Sequence, residues 1–196
     1  MFSNQHTRFI VVSSLIVSVA LTRLIPHPPN FTPVAAMALF AGASFSHLGL
    51  ALLIPLSTMF ISDLVLELLF GIGFHNQLIG VYSCLAATVL LGTLLKNRKR
   101  LRPLTMMSIS ASLLFFVGTN FTVWAAGDLY PRTASGLANC FVAAIPFFGP
   151  TLIGDYFYIM LLFGIFALIE QRFFYTSRGM NLIFLKKTNT LHIGGK

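Results

Sequence analysis

The chain has 196 residues, 56% of them hydrophobic and only 9% charged, with a mean hydropathy of +0.84. Soluble domains carry about one quarter charged residues, so this composition excludes an ordinary soluble enzyme and points to an all-α, polytopic membrane protein. The formal net charge of +8 does not imply nucleic acid as a partner, because the basic residues flank apolar runs, where Lys and Arg set topology in the bilayer.

A bilayer-crossing helix needs about 20 apolar residues, fewer where neighbours enclose it. Six spans are expected, at 8–25, 33–46, 49–71, 77–95, 104–126 and 150–170. The first leads into RLIPHPPNFTPVAAMALFAG, from Arg23 to Gly42. Pro26, Pro28 and Pro29 lack N–H donors and push the preceding residues out of the helical region, so this elbow is extended and stiff. It presents Arg23, His27 and Asn30 in fixed directions. The short second span is rich in Ala, and Ala38, Gly42 and Ser46 form a small-residue ridge that Ser14 and Ser18 repeat on the first; such ridges suit close packing, within the bundle or against another subunit.

The loop holding Lys96, Arg98, Lys99, Arg100 and Arg102, and the tail holding Arg172, Arg178, Lys186, Lys187 and Lys196, are expected on the cytoplasmic side. Six spans then place both termini there, in a bacterial inner membrane. Residues 1–170 form one transmembrane domain and 171–196 a basic cytoplasmic tail, surface-lying or disordered. In the outer connection 127–149, Leu137, Cys140, Phe141, Ala144 and Ile145 recur at helical spacing. They predict an amphipathic helix near 134–146 lying on the outer face as a lid. Cys84 and Cys140 both sit in apolar surroundings, which argues against a disulfide framework.

The polar residues gather toward the outer side. Asp63 and Glu67 share one face of the third span, where a carboxylate at mid-bilayer costs about 2.5–3.5 kcal/mol on insertion scales. They form either a structural ion pair with Arg23 or Arg132, or a ligand or proton site with Asp63 as its floor. His27 and His75 are titratable near neutral pH and are common metal ligands, with His75 two turns from Tyr82 on one face. Asn120 and Trp124, four apart, offer an amide beside an aromatic wall, or an interface anchor. Tyr130 and Arg132 lie in the lid region. Asp155 either supports a helix N-terminus after Gly149 and Pro150 or faces the cavity with Tyr158. Nucleotide-binding, hydrolase and metalloprotease signatures are missing from the sequence, so a non-enzymatic protein is expected.

With the Arg23–Gly42 elbow, SDL at 62–64, GFHN at 73–76, NFTVW at 120–124 and YPRTASGL followed by AAIPFFGPTLIGDYFY, the chain resembles an uncharacterised, DUF6580-like family of six-span bacterial membrane proteins. That family looks like the substrate-binding S components of energy-coupling-factor vitamin transporters and their solitary corrinoid-uptake relatives. The resemblance implies an S-component-like bundle that binds a vitamin-like solute, cobalamin among the options, beneath outer loops. It also implies an energising membrane subunit as partner. By position, His75 or Cys84 would then ligate cobalt. The Ala-rich docking motif of such components is absent from the first span, where Ser14 and Ser18 stand instead. The expected function is uptake of a small solute through Arg23, His27, Asn30, Asp63, His75, Tyr82, Asn120, Trp124, Tyr130, Arg132 and Asp155. The alternatives are a proton-coupled carrier or channel using Asp63 and Glu67, and a non-transporting membrane scaffold.

Overall fold

The computed structural model describes the backbone of residues 5–74, 76–96 and 100–193, with side chains up to residue 172. It is all-helical, with no strand among the described residues. Helix α1 (Gln5–Ala20) runs on into a 3-10 turn at Leu21–Leu24. It is followed by α2 (Val34–Ser44), α3 (Leu48–Phe70), α4 (Leu78–Thr93), α5 (Leu101–Ala126) and α6 (Ala134–Ile193).

Among the described residues, four stretches are long and apolar enough to cross a membrane: Gln5–Leu24, Leu48–Phe70, Leu101–Ala126 and Ala134–Arg172. Helices α2 and α4 are apolar but shorter, with 11 and 16 residues. At about 1.5 Å per residue they measure about 16 and 24 Å, less than a hydrocarbon core of about 30 Å. The outer faces of the bundle carry large apolar side chains, such as Ile79 at 81% and Leu68 at 76% exposure. Such a surface belongs in lipid, because in water it would be an aggregation liability.

Helix α2 is the axis of the bundle. All eleven of its residues are buried, and it touches each of the other five α-helices. Its narrow side lets backbones meet. A Cβ on Gly42 would overlap the Val89 carbonyl oxygen of α4, and one on Gly92 would overlap that of Leu39. Phe40 fills the opposite side, edge-on to Phe163 at 5.2 Å and Phe166 at 5.4 Å. The Ala38–Gly42 ridge is therefore internal packing. Ser14 and Ser18 are exposed on the outside of α1, where Ser18 Oγ donates to the Ser14 carbonyl at 2.7 Å.

The amphipathic stretch expected as a separate lid is the first part of α6, continuous with the last span. Gly136, Cys140 and Ala144 are its buried stripe, whereas Ile145 is 61% exposed. Thr133 Oγ accepts from the Gly136 N–H at 3.1 Å and caps its start. Pro146 and Pro150 lie inside the helix and do not end it; membrane helices tolerate proline because neighbouring groups re-satisfy the freed backbone. The backbone remains helical through Ile193, while the side chains of the basic tail beyond Arg172, like the loop residues Arg98 and Lys99, lie outside the described residues.

Candidate functional site

The elbow folds back into the bundle. Phe31 N–H donates to the Pro28 carbonyl at 3.1 Å, and Asn30 between them has φ 62°. This is a turn with a left-handed third residue, which Asn adopts more readily than other side-chain-bearing residues. The Phe31 ring then lies 5.7 Å from both Phe157 and Tyr158 of α6. Gly154 gives it room, since its Cβ would stand 3.0 Å from Phe31 Cα. Thr22 Oγ and the Tyr158 hydroxyl complete the junction at 3.0 Å.

One cavity of about 500 Å³ opens between this elbow, α5, α6 and the loop after α5. Arg23, Asn30, Asn120, Tyr130 and Asp155 all line it. Helix α5 contributes Phe115, Phe116, Thr119, Asn120 and Val123, one continuous face. Helix α6 contributes a stripe through Cys140, Ala144, Phe147, Thr151 and Asp155. Leu129 and Tyr130 stand at the rim. Asp155 ends that stripe, 3% exposed, with Oδ2 2.6 Å from Ser112 Oγ, a hydroxyl that also lies 3.1 Å from the Ser108 carbonyl. Ser112 is fourteen residues before the end of α5 at Ala126, about 20 Å down the helix. Asp155 is thus in mid-helix at the floor of the cavity, with no helix N-terminus for it to support.

The other expected site residues have different neighbours. Asp63, 2% exposed, pairs with Arg23 through Oδ1 and Nη2 at 2.7 Å and accepts from the Tyr82 hydroxyl at 2.8 Å. Arg23 Nη1 donates to Ser62 Oγ. Asp63 therefore stands behind the cavity wall as the anchor of Arg23, and Val81 lines the cavity where Tyr82 was expected. Glu67 does not share Asp63's partner; its Oε2 accepts from the backbone N–H groups of Gly73 at 2.9 Å and Phe74 at 3.0 Å.

Trp124 Nε1 donates to the Pro131 carbonyl at 3.0 Å, and Arg132 Nη2 reaches the Gly127 carbonyl at 3.4 Å. Both brace the α5–α6 connection and neither lines the cavity. His27 is exposed, its Nδ1 2.7 Å from the Ile25 carbonyl. His75 lies outside the described residues. Among those described, no cluster of three His, Cys, Asp or Glu side chains could hold a metal ion.

Sequence reasoning missed Phe115, Phe116, Phe147 and Thr151. The signal was there, because Cys140, Ala144, Phe147, Thr151 and Asp155 keep spacings of four, three, four and four. It emerges only when 134–170 is read as one helix.

No curated protein matches the chain, and no solved structure does. A family profile, described as a family of unknown function, does match, over residues 3–180. The match spans the elbow, both faces of the cavity and nearly all of the helical bundle, so the chain belongs to the DUF6580 family.

Proposed function

We propose that this is a multi-pass uptake protein of the bacterial inner membrane, binding a small solute in a cavity open to the outer side. The observation that carries the reading is the convergence of Arg23, Asn30, Asn120, Tyr130 and Asp155 on one cavity of about 500 Å³. Small-molecule sites measure about 300–1,000 Å³ and combine apolar walls with a few placed polar groups, as here. In this reading α2 and α4 complete a six-span bundle as short spans enclosed by neighbours. Lys96, Arg100 and Arg102 hold the α4–α5 connection, and with it both termini, on the cytoplasmic side.

An S-component-like protein would place ligand-facing groups on the α1–α2 and α5–α6 connections, where Asn30 and Tyr130 line the cavity. An energising membrane subunit would dock on the exposed Ser14 and Ser18 face of α1. The volume favours a vitamin-sized solute of one or two rings over a corrinoid. The ion pair of Asp63 and the loop contacts of Glu67 weigh against a carrier that moves protons through those two carboxylates.

The test combines access with occupancy. Tyr130→Cys should react with a membrane-impermeant maleimide from the periplasmic side. Ala144→Phe, which fills the cavity, should abolish uptake of whichever compound a labelled vitamin panel, cobalamin included, shows the wild type to import. Labelling from the cytoplasmic side only would overturn the orientation. Unchanged uptake by a well-folded Ala144→Phe would overturn the site, and import of no compound in the panel by the wild type is what a membrane scaffold predicts.

A further inference from the structure

Resting on that solute-cavity reading, we infer that the ligand is an organic cation, a protonated amine or similar group on an apolar or aromatic body, with Asp155 as its counter-ion. The first ground is charge. Arg23 is matched by Asp63 at 2.7 Å, whereas among the described residues no basic side chain pairs with Asp155, whose partner is the Ser112 hydroxyl. With Asp155 ionised, the lining and its anchor together carry one unmatched negative charge, placed about 20 Å below the end of α5. A buried carboxylate without a counter-charge is costly, and a cationic ligand supplies what the protein leaves out.

The second ground is the polarity of the walls. Thr119 Oγ donates to the Phe115 carbonyl at 2.6 Å, Asn120 Nδ2 to that of Phe116 at 2.7 Å, and Thr151 Oγ to that of Phe147 at 2.9 Å. The hydroxyl protons of both threonines and one amide proton of Asn120 are thus engaged within their own helices. On these α5 and α6 walls, what the three side chains leave for a ligand is the two hydroxyl oxygens and Asn120 Oδ1 as acceptors, beside the second amide proton of Asn120. Such walls suit a donor-rich group. The third ground is aromatic. Phe115, Phe116 and Phe147 line the same space, and ring faces attract cations, more strongly where water is excluded.

The experiment uses the full chain in lipid nanodiscs and calorimetric titration with three probes of similar shape: phenethylamine, phenethyl alcohol and hydrocinnamate. The amine should bind at least about tenfold more tightly than the alcohol, and the carboxylate least tightly. Asp155→Asn should erase the preference for the amine while keeping affinity for the alcohol, and Asp155→Glu should retain it. In a Cys84→Ser, Cys140→Ser background, Thr151→Cys should be protected from maleimide by the amine and not by hydrocinnamate. That readout, with the wild-type titration, decides the matter even where Asp155→Asn does not fold. Equal or tighter binding of the alcohol or carboxylate, or an undiminished preference in Asp155→Asn, would overturn the cation and leave the cavity reading standing. Binding of none of the three would overturn both.

Discussion

Arg23 and Asp63, forty residues apart in the chain, form an ion pair of 2.7 Å in which the carboxylate is 3% and the guanidinium side chain 12% exposed. The pair ties the elbow to α3 and fixes which way Arg23 faces at the cavity wall. Removing one partner leaves the other buried and uncompensated, so Arg23→Met or Asp63→Leu is expected to cost about 3–5 kcal/mol of stability. The double variant Arg23→Met/Asp63→Leu should recover much of that loss. Reversible unfolding in mixed detergent micelles measures the cycle, and losses that simply add would contradict the pair.

Tyr82 donates to the other oxygen of Asp63 at 2.8 Å. Tyr82→Phe leaves that oxygen without its donor and should lower stability by about 1–2 kcal/mol. The hydroxyl lies behind the wall, so affinity for any cavity ligand should hold. A large loss of affinity with normal stability would place Tyr82 in the cavity instead.

Gly42 and Gly92 permit the contact between α2 and α4. Gly42→Leu sets a branched side chain against the Val89 carbonyl, a backbone atom that cannot move aside. Overpacking of this kind costs about 1–3 kcal/mol or more, and the expected readout is loss of the monodisperse peak in size-exclusion chromatography. Gly49, where an added Cβ meets nothing within 4 Å, is the control, and Gly49→Ala should behave as wild type.

Glu67 latches the loop after α3. The chain turns at Gly71, in the left-handed region with φ 67°, and comes back so closely that a Cβ on Gly73 would overlap the Asp63 carbonyl oxygen. Glu67→Ala should speed amide hydrogen exchange at Gly73 and Phe74, and Glu67→Gln should do so by less, since it keeps an acceptor. The net loss expected for Glu67→Ala is about 1.5–2 kcal/mol, the lower part of the range for bonds to a charged group, because this carboxylate is only part-buried. Unchanged exchange at both amides would mean that the latch is not formed in the membrane.

The helical elements were legible because their apolar runs are long and the polar interruptions abrupt. The bounds expected for α2 and α3 differ from those observed by no more than two residues at any end. The elbow was legible too, since three prolines leave the chain few conformations. Arg23, Asn30, Asn120, Tyr130 and Asp155 were each noticed as polar residues out of place in an apolar chain. What could not be read was their rank. Asp63 looked like the floor because it is deep, but burial alone does not show that Arg23 closes over it. Asp155 read equally as support for a helix start after Gly149 and Pro150 and as a cavity residue, and only the passage of α6 through both positions removes the first reading. In lipid the usual stop signals are weaker than in water, and helix joins are misread accordingly.

Helix α2 is sealed on every side, and that has a consequence for how the protein is made. Eleven residues cannot hold a place across a bilayer unaided. Yet α2 leaves the ribosome before α4 and α6, which enclose it. For that interval the nascent chain carries an apolar segment too short to anchor itself, tethered by α1 and α3 on either side. Biogenesis of this protein therefore ends with its centre: the innermost helix is among the first synthesised and the last to reach its final surroundings.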